Sequence, residues 1–204
     1  MGTALLTIGH SNHSPQRFLE LLRAADVERL ADVRTVPFSR RLPHFCRGAL
    51  EAMLGKAGID YLFLGAELGG RPARPELYSA GVADYERMAT EATFRAGLER
   101  VSAFAAGGRA VVLCAEREPL DCHRCLLVGR RLAEAGARVA HILADGTIER
   151  HAATEARLLA ATGRAGTSLL CTPSEDLAAA YRTRARRVAF RQPRIGVPAG
   201  QSSG

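Results

Sequence analysis

The segment RAVVLC, residues 109–114, constrains the fold more than any other: after one arginine it is an unbroken apolar run, too short for a buried helix. Such a run fits a strand covered on both faces, the environment of a parallel sheet flanked by helices. The rest of the chain keeps the same rhythm. ALLTIG (4–9), VERLADV (27–33), IDYLFLG (59–65) and ARVAHIL (137–143) have the pattern of four further strands. A helix between the first two is opened by Ser14 as N-cap and Pro15 at the first helical position, with Phe18, Leu19, Leu21 and Leu22 as its apolar stripe. Further helices are expected from about Arg47 to Ala57, ended by Gly58, from about Val82 to Ala106, over 122–136 and over 148–161. The pattern predicts an α/β fold, a three-layer sandwich with a mostly parallel sheet of about five strands and helices on both faces.

A chain of 204 residues has room for one such domain, placed at 1–161, followed by a linker over 162–176 and a basic, partly disordered tail over 177–204 that ends in PAGQSSG. The net charge of +7 sits mostly in that tail. Residues 1–176 hold 22 basic and 21 acidic side chains, whereas 177–204 hold six arginines and no acid. The basic balance therefore describes a C-terminal arm, either a salt-sensitive polyanion tether or a solubilising tail, and says little about the domain. Five cysteines at 46, 114, 122, 125 and 171 make no even framework, and the N-terminus has no basic and apolar leader, so a cytoplasmic protein with reduced thiols is expected. No apolar run approaches the roughly 18–20 residues that span a bilayer, so no membrane partner is expected; oligomeric state is left open.

Ligands of doubly wound sheets lie beyond the carboxyl ends of the strands. The first strand ends in Gly9-His10-Ser11-Asn12, and the second in Asp32-Val33-Arg34 followed by Pro37-Phe38-Ser39-Arg40. The third is followed by Leu68-Gly69-Gly70-Arg71, and the fourth by Cys114-Ala115-Glu116 and then Cys122-His123-Arg124 at a helix start. Brought to one edge, these residues form a cleft with arginines, two histidines, an acid and two thiols.

The succession TIGHS, DVR with P-x-SR, GI-x-Y, LGGR, C-x-E with P-x-x-CHR, and V-x-HI resembles the DUF488 family of bacterial proteins over roughly residues 5–160. The family name assigns no function. What the resemblance implies is a cytosolic α/β domain whose family motifs fall on His10, Ser11, Asp32, Arg34, Ser39, Arg40, Gly69, Gly70, Arg71, Cys114, Glu116, Cys122, His123 and Arg124.

The residue types suggest roles, each with a plainer counterpart. Arg34, Arg40, Arg71 and Arg124 suit a clamp on a phosphate, aided by backbone N–H groups at the CHR helix start; singly, each is as well explained by a surface salt bridge. Asn12, Asp32, Ser39 and Cys122 belong to the same ligand-binding set. Glu116, with His123, suits acid/base chemistry, and His10 with Ser11 would position the reacting group; an ion pair with Arg34 or Arg124 and loop-ordering hydrogen bonds are the alternatives. Cys114 has the layout of a rhodanese or cysteine-phosphatase nucleophile, but the loop AEREPLD brings three acids that disfavour a thiolate. The C-x-x-C at 122–125 lacks a second pair, so no metal and no cofactor are expected. LGGR is not followed by GK[ST] and is no P-loop; its glycines are expected to turn the chain so that Arg71 enters the cleft. Cys46 and Cys171 have no sequence partners, and the long loop 66–81 could serve as a lid or interface. The leading expectation is an enzyme acting on a phosphate-bearing ligand, a nucleotide or nucleic-acid end, by hydrolysis or transfer. Thiol chemistry at Cys114 and a noncatalytic nucleotide- or nucleic-acid-binding module are the alternatives.

Overall fold

The computed structural model describes residues 4–166 and 172–193, so Cys171 and PAGQSSG lie outside the described residues. The chain runs β1 (Ala4–Gly9), α1 (Pro15–Ala24), β2 (Arg29–Asp32), α2 (Arg47–Lys56), β3 (Asp60–Phe63) and α3 (Gly65–Leu68). A two-stranded ribbon, β4 (Tyr78–Ser79) and β5 (Val82–Ala83), leads to α4 (Tyr85–Thr90), α5 (Ala92–Ala105) and β6 (Ala110–Cys114). A π-helical segment, Arg124–Gly129, continues into α6 (Arg130–Glu134). Then follow β7 (Arg138–Ile142), β8 (Ile148–Arg150), α7 (His151–Ala161) and α8 (Pro173–Val188). No helix among the described residues is long and apolar enough to cross a membrane.

The main sheet has the order β3-β2-β6-β1-β7-β8, with the first five strands parallel and β8 antiparallel to β7. The period of two decides which face each residue covers. In β6, Ala110, Val112 and Cys114 face one apolar layer, while Val111 and Leu113 face the other. The second layer is closed by α1 through Phe18, Leu21 and Leu22 and by α2 through Leu50 and Leu54. The first is closed by α4, α5, the π-helical segment, α6 and α7. Full burial of each Val or Leu stabilises by about 1.5–3 kcal/mol, which holds the sheet's central register.

The three-layer α/β sandwich with a mostly parallel sheet is as expected, and among the described residues it carries one strand beyond the five read from sequence: Asp145 Oδ1 accepts from Thr147 N at 2.9 Å, Gly146 takes φ 102°, and this turn sends 148–150 back along β7 before α7 begins. Three expectations are corrected. The stretch 82–106 is β5 and two helices, because Asp84 caps α4 and Glu91 is extended. The helix expected from 122 starts later, as a π-helical segment. Residues 173–188, assigned from sequence to a linker and a tail, form α8, opened by a capping box of Thr172 and Glu175 and docked through Ala180, Tyr181 and Ala185.

Tyr181 ends a buried line of hydrogen bonds. Its hydroxyl donates to Glu155 Oε1 at 2.9 Å and accepts from His151 Nε2 at 3.0 Å; His151 Nδ1 then accepts from His141 Nε2 at 2.9 Å. His141 Nδ1 accepts from Thr7 Oγ1 of β1 at 2.7 Å. Every donor has one acceptor if both rings are neutral, and burial pushes both below the usual histidine range. The sheet centre is thereby tied to α8.

Gly9 tests the packing at the end of β1. A Cβ there would lie 1.8 Å from the Glu116 carbonyl oxygen and 3.0 Å from Arg124 Nη1, whereas one at Gly48 in α2 meets nothing within 4 Å. Gly9→Ala should cost about 3 kcal/mol or more, and Gly48→Ala should stabilise by up to about 1 kcal/mol, both read as shifts of the urea midpoint.

Candidate functional site

The chain leaves β1 for α1 on one face of the sheet and leaves β6 for α6 on the other, although β1 and β6 are neighbours. That reversal opens a crevice beyond their carboxyl ends. It is a cleft of about 380 Å³ whose walls include His10 after β1, Arg34 and Ser39 after β2, Gly70 and Arg71 after α3, and Cys114, Glu116 and His123 around the β6 end.

Four side chains meet at its floor, Cys114, Glu116 and His123 lining the cleft and Cys122 buried behind them. Glu116 Oε2 accepts from the thiols of Cys114 and Cys122, each at 3.0 Å. His123 Nδ1 lies 3.5 Å from Cys114 Sγ and 3.9 Å from Cys122 Sγ, and its Nε2 is 3.0 Å from the Val33 carbonyl. A carbonyl only accepts, so Nε2 carries a proton and Nδ1 is the nitrogen turned to the sulfurs. Burial, then Cys122 and Glu116, push the Cys114 thiol up. For Cys122, burial is outweighed by Cys114, Arg124 and His123, and its thiol is pushed down. Burial raises the Glu116 carboxyl; His123 is raised because Cys122, Glu116 and the Val33 carbonyl outweigh burial. Cys114, Glu116, Cys122 and His123 can together hold a metal ion, which the sequence spacing hid by pairing Cys122 with Cys125. Cys125 instead faces His141, 3.8 Å from its Nε2.

The arginines divide. Arg34 forms a buried bidentate pair with Asp32, Nε to Oδ1 at 2.9 Å and Nη2 to Oδ2 at 2.6 Å, and donates to the Phe45 carbonyl at 2.7 Å. Tyr61 donates to the same Asp32 carboxylate at 2.9 Å. Arg124 is fully buried, donating to the carbonyls of Glu116 at 2.5 Å and Arg117 at 3.0 Å. It holds the loop from beneath, and the structure does not bring it to the cleft. The CHR helix start offers no anion nest either: Cys125 N and Leu126 N donate to the Cys122 carbonyl, and Arg124 N donates to Cys122 Sγ. Arg71 is the exposed cation of the cleft, stacked over Phe190 at 4.9 Å.

Arg40 and Asn12 are exposed and outside the cleft lining. Ser11, at φ 49°, uses its N–H on the Ala115 carbonyl and its hydroxyl on Asn12. Ser39 Oγ accepts from Leu42 N and lines the cleft. The LGGR glycines serve close approach, not a left-handed turn: a Cβ at Gly70 would lie 2.8 Å from the His123 ring, and one at Gly69 2.3 Å from the Gly65 carbonyl. Sequence reasoning missed Thr35, Val36 and Tyr85 and gave Phe38 no role of its own; Val36 and Phe38 form the lip and are 58% and 64% exposed. The signal for Phe38 was a lone aromatic in a loop between a proline and a serine.

His10 stacks on Phe45 with ring centroids 4.3 Å apart, and its Nδ1 donates to the Ser11 carbonyl at 2.9 Å. Burial lowers its pKa to about 4, against an ordinary 6.5. Above pH 6.5 the imidazole is neutral in both the folded and the unfolded chain; as pH falls toward 4 only the unfolded chain takes the proton, so stability is lost across that window. The loss should reach about 3 kcal/mol. Urea unfolding at about pH 7 and about pH 4.5 should show a larger drop for the wild type than for His10→Asn.

No curated protein and no solved structure matches the chain. A family model described as "Domain of unknown function DUF488" matches residues 14–130, a shorter span than the motifs cover, with TIGHS and V-x-HI outside it. The match takes in more than half of the sequence, and on it the chain belongs to the DUF488 family.

Proposed function

We propose that the protein is a cytoplasmic enzyme that binds a nucleotide or a nucleic-acid end in this cleft and hydrolyses or transfers its phosphate-bearing part. The observation that carries the proposal is the juxtaposition of three unlike groups around one polar cleft: the exposed guanidinium of Arg71, the exposed ring of Phe38, and the Glu116 carboxyl on the floor. A guanidinium pairs with phosphate bidentately, and an exposed aromatic gives a base a face to stack on. Arg34 adds little net charge because Asp32 neutralises it, so Arg71 supplies the anion contact. Glu116 is raised by burial, as an acid/base group needs, and neutral His10, stacked on Phe45, lines the same cleft. Thiol chemistry at Cys114 draws less from this geometry, since its thiol is buried and pushed up beside Glu116.

Thermal-shift and calorimetric titration with nucleoside phosphates and a 5′-phosphorylated oligonucleotide test the proposal. Arg71→Ala and Phe38→Ala should each weaken binding by roughly 10-fold or more, and Glu116→Gln should retain binding while losing turnover. A panel that gives no stabilisation removes the ligand class. Binding that depends on residues 177–204 and ignores Arg71, Phe38 and Glu116 favours the noncatalytic module instead.

A further inference from the structure

We infer that the floor of the cleft is a metal site for a thiophilic divalent ion of the zinc type, held by Cys114 Sγ, Cys122 Sγ and His123 Nδ1, with Glu116 Oε2 in the fourth position. The inference rests on the reading of this cleft as catalytic only for the use of the ion; the binding itself stands on the cluster.

Distance is the first reason. The four ligand atoms lie within 4.8 Å of one another. Tetrahedral bonds of about 2.3 Å to sulfur and about 2.0 Å to nitrogen place those two ligand atoms about 3.5 Å apart. The imidazole nitrogen is 3.5 and 3.9 Å from the sulfurs before any adjustment, and the carboxylate oxygen, 3.0 Å from each, needs only to open slightly.

Tautomer is the second. Metal-ligating histidines commonly donate their other ring nitrogen to a carbonyl or carboxylate, which orients the ring and leaves the first lone pair for the metal. Val33 does this for His123, while Gly70 packs where a Cβ would meet the ring. The other buried cluster, Cys125, His141 and His151, contrasts with it: its ring nitrogens are already joined by hydrogen bonds to one another, to Thr7 and to Tyr181.

Charge is the third. Arg124 is buried beneath the cluster with no carboxylate paired to it among the described residues. Two thiolates, one carboxylate, one guanidinium and a divalent ion are together neutral, so the buried cation and the metal share the same anions. Binding is a proton exchange with no redox step: the thiol protons leave to solvent as the Sγ–metal bonds form. Glu116, the ligand nearest the open cleft, is the one a water or phosphate oxygen can replace, and a metal there would polarise that oxygen.

The test uses the full-length protein, stripped with a chelator under reducing conditions and titrated with Co²⁺ and then Zn²⁺. One equivalent of Co²⁺ should give a thiolate-to-cobalt charge-transfer band and tetrahedral visible absorption, both abolished by Zn²⁺. Cys114→Ser and Cys122→Ser should each weaken Zn²⁺ binding by roughly 100-fold or more, and Cys125→Ser should leave it unchanged. If a serine variant does not fold, Zn²⁺ should still protect Cys114 and Cys122 of the wild type, and not Cys46, from alkylation read by mass spectrometry. The inference is overturned by the absence of a thiolate-to-cobalt band, or by a band that survives both substitutions and disappears in Cys125→Ser. Nucleotide stabilisation of the stripped protein separates the outcomes. Nucleotide binding without metal binding defeats this inference alone, and metal binding without nucleotide binding defeats only the substrate proposal.

Discussion

A permanent positive charge lies inside this protein, and much of the cleft's form follows from accommodating it. Arg124 has no access to water, and a buried guanidinium needs acceptors close by. The carbonyls of Glu116 and Arg117 accept from its two Nη groups, while its Nε has no hydrogen-bond partner among the described residues. To point inward, those carbonyls require the chain after β6 to wrap over the guanidinium, which fixes where the Glu116 side chain emerges. The same wrapping brings the Glu116 carbonyl against β1 so closely that only glycine fits at position 9. The buried cation, the loop and the missing Cβ are one arrangement.

The walls of the cleft show a second division of labour. Asp32 and Arg34 neutralise each other and, through Phe45 and Tyr61, tie the end of β2 to its surroundings. Arg71 and Phe38 remain exposed at the rim. Rigid paired groups below and exposed groups above are what a site needs to hold its shape while leaving valences for a ligand.

The parallel strands were legible because β6 and β1 are buried on both faces and cannot hide their apolar runs. β8 was not, since three residues carry no period. α8 was obscured by its arginines: six basic residues after position 176 suggested a solvated arm, although Ala180, Tyr181 and Ala185 form a buried stripe at helical spacing. At the site, His10, Arg34, Ser39, Arg71, Cys114, Glu116 and His123 line one cleft beyond the strand ends, whereas Asn12, Arg40 and Arg124 do not. What sequence could not give was direction. Arg124 had the composition of a surface residue and lies in the core, and Cys122 is linked to Cys114 across a loop whose path no periodicity encodes.

The family match, from 14 to 130, is a poor guide to where this molecule can be cut. β1 lies before it and β7 after it, yet in space β1 sits between β6 and β7 at the middle of the sheet. A fragment trimmed to the matched span would keep β3, β2 and β6 and end the sheet on β6, its most apolar strand, with a bare row of backbone donors and acceptors where β1 had paired. Such an edge recruits other chains. The portion by which the family is recognised is therefore an aggregation-prone half of a folding unit whose closure is supplied by the segments on either side.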